Sequence, residues 1–178
     1  MKKIKHKTKA YISLALYALM QKMPYEEISV KEICDRAGVS RMSFYRYYSN
    51  KDDIFVDYCD DRFEEFYNTM KDVENLSLRQ FTLEMFKFVR KYARPIEVLF
   101  KANKDFLLLD QLSGYAKYVV SNLKSDFLIT QKNNPTFPYF LAGGLFNVFV
   151  YWINNGTKYS PEEMNDMLYS IIPTSPKI

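Results

Sequence analysis

One histidine, His6, and two cysteines, Cys34 and Cys59, are all that this 178-residue chain has of the residue types that most often serve as catalytic bases or soft metal ligands. His6 falls in a lysine-rich N-terminal stretch expected to be mobile, so no Ser-His-Asp or Cys-His arrangement has a fixed base. Two cysteines make no disulfide framework, and with one distant histidine they make no zinc spacing. Five glycines are too few and too scattered for a loop that cradles phosphate, and with seven prolines they exclude collagen-like and low-complexity chains and argue against a turn-rich all-β fold. The paired acids Asp60-Asp61, Glu64-Glu65 and Glu162-Glu163 are sequence neighbours, which on a helix point about 100° apart, so they read as caps or solvated faces. No enzyme, cofactor or metal is expected. No apolar run follows the charged N-terminus as a signal peptide would require, so the expected compartment is the cytoplasm. The longest apolar stretch, 137–153, is shorter than the roughly 20 residues of a spanning helix and is interrupted by Gly143, Gly144 and Asn147.

What the chain has is apolar and aromatic surface: 48% hydrophobic residues, among them 15 Tyr and 14 Phe. That composition excludes a disordered chain. Its charge is unevenly placed. Of 25 basic and 21 acidic residues, the first 51 positions hold eleven Lys or Arg and four acids, a net +7, and the remainder is −3. A basic front end on a mildly acidic body suggests contact with a polyanion. Lysines before residue 10 could serve solubility alone, but Arg36, Arg41, Arg46 and Lys51 lie outside that tail.

Helical periodicity runs through the chain and no strand pattern is long enough to count. Ile12, Ala15, Leu16 and Leu19 share one helix face, and Pro24 ends that helix. Ser29 and Glu32 form a capping box for a short helix with Val30, Ile33 and Ala37 inside. Gly38 ends it where a positive φ is needed, and Ser40 caps a third helix two residues later. Asn50 caps a long fourth helix whose apolar face runs from Ile54 to Met70. Ser77 and Gln80 form a second capping box, with Leu76 and Phe81 as a hydrophobic staple. Pro95 is expected to begin a short helix to about residue 103. Longer helices follow at about 105–127 and 137–155, with a polar loop between. Ser160-Pro161 opens a last helix with Met164, Met167, Leu168, Ile171 and Ile172 inside.

The unit at 29–48 is a helix, a tight turn at Gly38-Val39 and a second short helix, the order of a helix-turn-helix. In such a unit the second helix enters the major groove of DNA with its N-terminal residues toward the base edges. Those residues are Arg41, Met42 and Ser43. Arginine can pair bidentately with guanine, and methionine can touch a thymine methyl. By period Phe44 and Tyr48 face the core, leaving Tyr45, Arg46 and Tyr47 on the flank. Tyrosine hydroxyls, Lys31, Lys51 and the free N–H groups of helix N-termini are candidates to hold phosphates.

The run from Tyr25 to Ile54, with Ala37-Gly38-Val39-Ser40 at the turn and Phe44-Tyr45-Arg46-Tyr47-Tyr48 after it, resembles the DNA-binding signature of the TetR family over roughly residues 9–58. The resemblance implies an all-α homodimer: a three-helix helix-turn-helix head at 1–51, then a helical body at 52–178 that binds a small ligand and dimerises through its last two long helices. It implies that Arg41 and Ser43 read bases and that Tyr45, Tyr47 and Lys51 grip phosphates. Three departures stand out. Met42 replaces what is often a small residue, Tyr47-Tyr48 stands where His-Phe is common, and Met23-Pro24 stands where a glycine commonly ends the first helix.

In the body, Phe86, Tyr92, Phe100, Phe106, Tyr115, Tyr118, Phe140 and Trp152 are candidates to line a pocket for an apolar or aromatic effector. The segment from Ala142 to Glu163 is similar to the C-terminal helix pair of one subset of the family. The helix at 137–155 is apolar on more than one face, and a surplus face calls for a second copy of the chain. Leu145, Val148, Phe149, Trp152, Met164, Met167, Leu168 and Ile171 are the expected dimer residues, with Gly143 and Gly144 near a close helix–helix contact within the chain or across the dimer. The expected function is a sequence-specific transcriptional regulator, a repressor released or altered by a small ligand, that binds double-stranded operator DNA and no membrane. The rival is a protein-interaction module on the same fold whose head no longer reads DNA.

Overall fold

A computed structural model describes residues 2–74, 76–122, 131 and 133–171, with side chains from Lys7 onward. Among the described residues there are nine α-helices and one 3-10 turn and no strand, so the all-α expectation holds. The helices are α1 (Lys2–Met20), α2 (Val30–Ala37), α3 (Arg41–Tyr45), α4 (Asp52–Met70), α5 (Leu78–Lys91), α6 (Ala93–Lys101), α7 (Asp105–Asn122), α8 (Phe137–Asn154) and α9 (Pro161–Ile171). The 3-10 turn, Tyr25–Glu27, joins α1 to α2. The expected extension of α7 to residue 127, and Ile172 on the last helix, lie outside the described residues, as does the side chain of His6.

Contacts gather the chain into two compact units that do not follow a single cut at 51/52. One takes the residues up to Arg62 together with Glu97–Gln111; the other takes Phe63–Ile96 and the chain from Leu112 onward. The first unit is built on Ile12, Leu16, Ile28, Ile33, Phe44 and Ile54, all essentially solvent-free, and the end of α6 adds Leu99 and Ala102 to the same core. Local signals place these helices. Ser29 and Glu32 close the capping box of α2, with the Glu32 N–H 3.2 Å from Ser29 Oγ and the Ser29 N–H 2.8 Å from Glu32 Oε2. Gly38 ends α2 at φ 66°, and Val39 packs inward beyond it.

The second unit is held by aromatic packing and one buried polar tie. Phe66 meets Phe81 and Phe88 edge-on at 5.7 and 5.3 Å. Phe86 meets Phe149 and Trp152 in the same way, at 5.5 and 5.6 Å. The Trp152 indole N–H donates to the Tyr159 carbonyl at 3.0 Å, so this large ring is buried without an unmet donor. Helix α9 packs on α5. There the buried Thr82 hydroxyl donates to Asn165 Oδ1 at 2.6 Å, and Asn165 Nδ2 donates to the Arg79 carbonyl at 3.2 Å. Unsatisfied buried polar groups cost more than their bonds return, so this pair favours one register of α9 over its neighbours. Helix α6 starts two residues before Pro95. The proline still sits in the first turn, where its missing N–H has no intrahelical partner to lose.

Gly38 separates backbone strain from crowding. A Cβ built there meets no atom within 4 Å, so only the positive φ opposes a side chain. Gly38→Ala is expected to destabilise the folded chain by about 1–2 kcal/mol, and Gly38→Asn by less, in denaturant titrations. Equal losses for both would mean that the turn tolerates no side chain at all.

Candidate nucleic-acid interface

Helix α3 has five residues, Arg41 to Tyr45, and divides cleanly into two sides. Phe44 is fully buried and Tyr48, just past the helix, nearly so; their rings lie 5.7 Å apart in the core of the first unit. The opposite side carries Arg41, Met42, Tyr45 and Arg46, all exposed, with Met42 at 80% and Tyr45 at 58%. An exposed methionine at that level has no structural role in the monomer and is free to meet a partner's apolar surface. Ser43 and Tyr47 are half-buried beside them, and Lys31 is exposed on α2. No acid occurs between Arg41 and Tyr47. Ser40 fixes the start of the helix: the Ser43 N–H donates to Ser40 Oγ at 3.1 Å, and the two hydroxyls are 3.0 Å apart.

Two expectations about phosphate grip change on the structure. The N-terminus of α4 is closed rather than open to an anion. Asn50 Oδ1 accepts from the N–H groups of Asp52 and Asp53, at 2.7 and 3.2 Å, while Asp53 Oδ2 accepts from those of Ser49 and Asn50, at 2.6 and 3.3 Å. Lys51 is engaged as well. Its ammonium donates to the carbonyls of Tyr25 (2.5 Å), Glu26 (3.3 Å) and Ile28 (2.8 Å) and lies 4.2 Å from the Tyr25 ring centroid. Three donors for three carbonyls leave none over, and burial pulls the Lys51 pKa below the ordinary lysine value. Lys51 thus fastens the turn before α2 to the start of α4.

Two further ties orient the head, and both end on carboxylates of α4. The Tyr25 hydroxyl donates to Asp52, and the Tyr48 hydroxyl donates to Asp57 Oδ2 at 2.7 Å. Lys9 of α1 pairs with the other oxygen of Asp57. Burial, reinforced by the bonded carboxylate, raises both tyrosine pKa values far above the ordinary one, so both hydroxyls stay donors. Sequence spacing assigns these pairings to none of Tyr25, Asp52, Asp57 and Lys9. The spacing Tyr48 to Asp57 crosses a helix boundary and follows no local rule.

The effector candidates lie in different surroundings. Phe86 and Trp152 are fully buried against one another. The Tyr92 hydroxyl donates to Glu65 Oε2 at 2.7 Å. Phe100 and Phe106 belong to the first unit and the other six to the second. Tyr115 stacks on Phe63 with centroids 4.0 Å apart, and Tyr118 meets Tyr67 edge-on at 5.0 Å. Phe140 is 77% exposed.

The expected dimer residues also divide. Leu145, Phe149, Trp152 and Met164 are buried inside the monomer, Phe149 and Trp152 against Phe86 of α5. Val148 and Leu168 are half-buried, and Met167 and Ile171 are exposed. The outward face of α8 is instead Phe140, Gly144, Asn147 and Tyr151, at helical spacing. No atom of the described residues approaches a Cβ built on Gly143 or Gly144 within 4 Å, so no close contact among those residues requires a glycine there.

Comparison with known proteins follows the same division. Residues 14–58 match the model of the tetR family of bacterial regulatory proteins, and residues 76–174 match that of a transcriptional regulator C-terminal region of the same group. An uncharacterized HTH-type transcriptional regulator, YxbF of Bacillus subtilis (strain 168), is 23% identical over 176 residues, covering 92% of this chain and 44% of its own length. The chain therefore spans less than half of that curated relative. Among solved structures, Lin0861 of Listeria innocua superimposes with a TM-score of 0.81 at 16% identity, covering 93% of this chain and 88% of its own. A TetR transcriptional regulator of Streptococcus agalactiae 2603V gives 0.69 at 18% identity, covering 97% of each chain. No helix among the described residues is long and apolar enough to cross a membrane.

Replacing Lys51 by methionine is expected to lower stability by about 1–3 kcal/mol, the scale of hydrogen bonds from a charged donor. The slope of DNA affinity against salt should not change. A slope shallower by about one unit at unchanged stability would return Lys51 to the phosphates.

Proposed function

This chain belongs to the TetR family of bacterial transcriptional regulators, and from that premise we propose that it is a sequence-specific DNA-binding repressor, acting as a homodimer and answering to a small apolar or aromatic molecule. The observation that carries the reading is the two-sidedness of α3. Phe44 and Tyr48 anchor it, while Arg41, Met42, Tyr45 and Arg46 stand exposed with no acid among them. Two arginines with no acid between Arg41 and Tyr47 suit a polyanion, which favours DNA over a protein partner. In this reading Arg41, Met42 and Ser43 face bases, and Lys31, Tyr45, Arg46 and Tyr47 hold backbone phosphates. Lys51 supports them from behind. The effector reading rests on Tyr92, Tyr115 and Tyr118, which keep partial exposure beside other rings.

One short helix reads too few base pairs for useful specificity, so two heads must be held roughly one DNA turn, 34–36 Å, apart. The outward faces of α8 and α9 support that linkage. Phe140, Tyr151 and Ile171 are more than half exposed, which is costly for a free monomer and ordinary for an interface. Gly144 lies among them with open space above it, as a close helix crossing would need.

Arg41→Ala is expected to cost about 1–3 kcal/mol on DNA flanking the protein's own gene, mainly at one base pair, in gel-shift titrations. Equal loss on random DNA would remove Arg41 from base reading. For the dimer, Tyr151→Glu should give folded monomers in light scattering that no longer shift the flanking DNA. Phe149→Glu should instead unfold the chain, since Phe149 is buried against Phe86. A wild-type protein that is monomeric at micromolar concentration would contradict the dimer.

A further inference from the structure

Lys104 lies far in sequence from the recognition helix, yet it reaches the same cluster that fixes the head. Helix α6 ends in a Schellman motif. Asn103 takes the left-handed conformation at φ 52°, its N–H donates to the Phe100 carbonyl, and the Lys104 N–H donates to the Leu99 carbonyl, both at 3.0 Å. Asparagine tolerates this conformation better than other side chains, and Leu99 and Ala102 seat the turn in the core of the first unit. The Lys104 ammonium is thereby set 3.1 Å from Asp52 Oδ2 and 5.0 Å from the Tyr25 ring centroid. Asp52 is the first residue of α4 and accepts the Tyr25 hydroxyl on its other oxygen, while Lys51 lies against the same ring. The Lys104 side chain is only 20% exposed and Asp52 34%, so the pair is partly withdrawn from solvent screening.

We propose that Lys104 is a positioning residue for DNA reading. It fixes Asp52 and Tyr25, and through them the start of α4 and the angle at which α3 is presented. It makes no contact with DNA. The inference rests on the reading of this chain as a DNA-binding regulator and adds a residue outside the 1–51 head to its machinery.

The test uses the full chain and two duplexes of equal length: one enriched by the wild-type protein from a random-sequence pool, and a scrambled version of it. Lys104→Met is expected to weaken the enriched duplex about tenfold, leaving the scrambled duplex and the salt slope as in wild type. Lys104→Arg should restore most of the affinity. Asp52→Asn should lose as much as Lys104→Met, and the double variant no more than either, because the two substitutions break one interaction. Melting by circular dichroism identifies any variant that fails to fold, and Asp52→Asn, which keeps the side-chain shape, carries the same expectation. Equal loss on both duplexes, no loss on either, or additive losses in the double variant would overturn the proposal. A salt slope shallower by about one would reassign Lys104 to a phosphate. If the wild-type protein enriches no sequence, the DNA-reading function falls, and this inference with it. If it enriches one and Lys104→Met binds it normally, only this inference falls.

Discussion

A helix of five residues cannot hold itself together, and everything else in the first unit answers to that constraint. Nucleating a turn costs more than one or two hydrogen bonds return, so a segment as short as α3 is helical only where its surroundings hold it. Here Phe44 is sunk into a core built from α1, α2, α4 and the end of α6. Ser40 caps the first turn, and Tyr48 closes the far end through Asp57. The exposed edge can then be given wholly to a partner, because no residue on it is needed for folding.

Hydrophobic packing alone would leave the angle of such a helix loosely set, since apolar contact is non-directional. The directional part comes from α4. Its first turns present Asp52 and Asp57, and these collect hydroxyls and ammonium groups from α1, the 3-10 turn, the end of α3 and the turn after α6. Lys51 completes the set from the α4 side by taking three carbonyls of the 3-10 turn and its exit. Truncating one member of such a network leaves the others buried and unmatched, so its members are coupled in energy.

Local chemistry was legible in the sequence and distant chemistry was not. Both capping boxes, Gly38 at the turn and the inward set of Phe44 and Tyr48 follow from spacing and backbone preference, and all are present. Lys51 reads as a phosphate ligand because a lysine at a helix start, after a basic recognition helix, carries no sign of the carbonyls of Tyr25 and Ile28 that fold back onto it. Lys104 gives no signal at all, since its partner is 52 positions away. Helix α8 is apolar on more than one face, but periodicity does not say which face meets its own chain. Phe149 and Trp152 went inward, against Phe86, and Phe140 and Tyr151 outward. The fully buried rings of Phe86 and Trp152 illustrate a related limit: a ring at helical spacing is most often core.

In the proposed function, two copies of this chain hold two copies of α3 on one face of a duplex. Hydroxyl-radical footprinting of the wild-type protein on a bound duplex tests it directly. Two protected patches on the same face, with centres about one turn or 10–10.5 base pairs apart, are the expected result. A single patch at saturating protein, or protection spread evenly along the duplex, would contradict it.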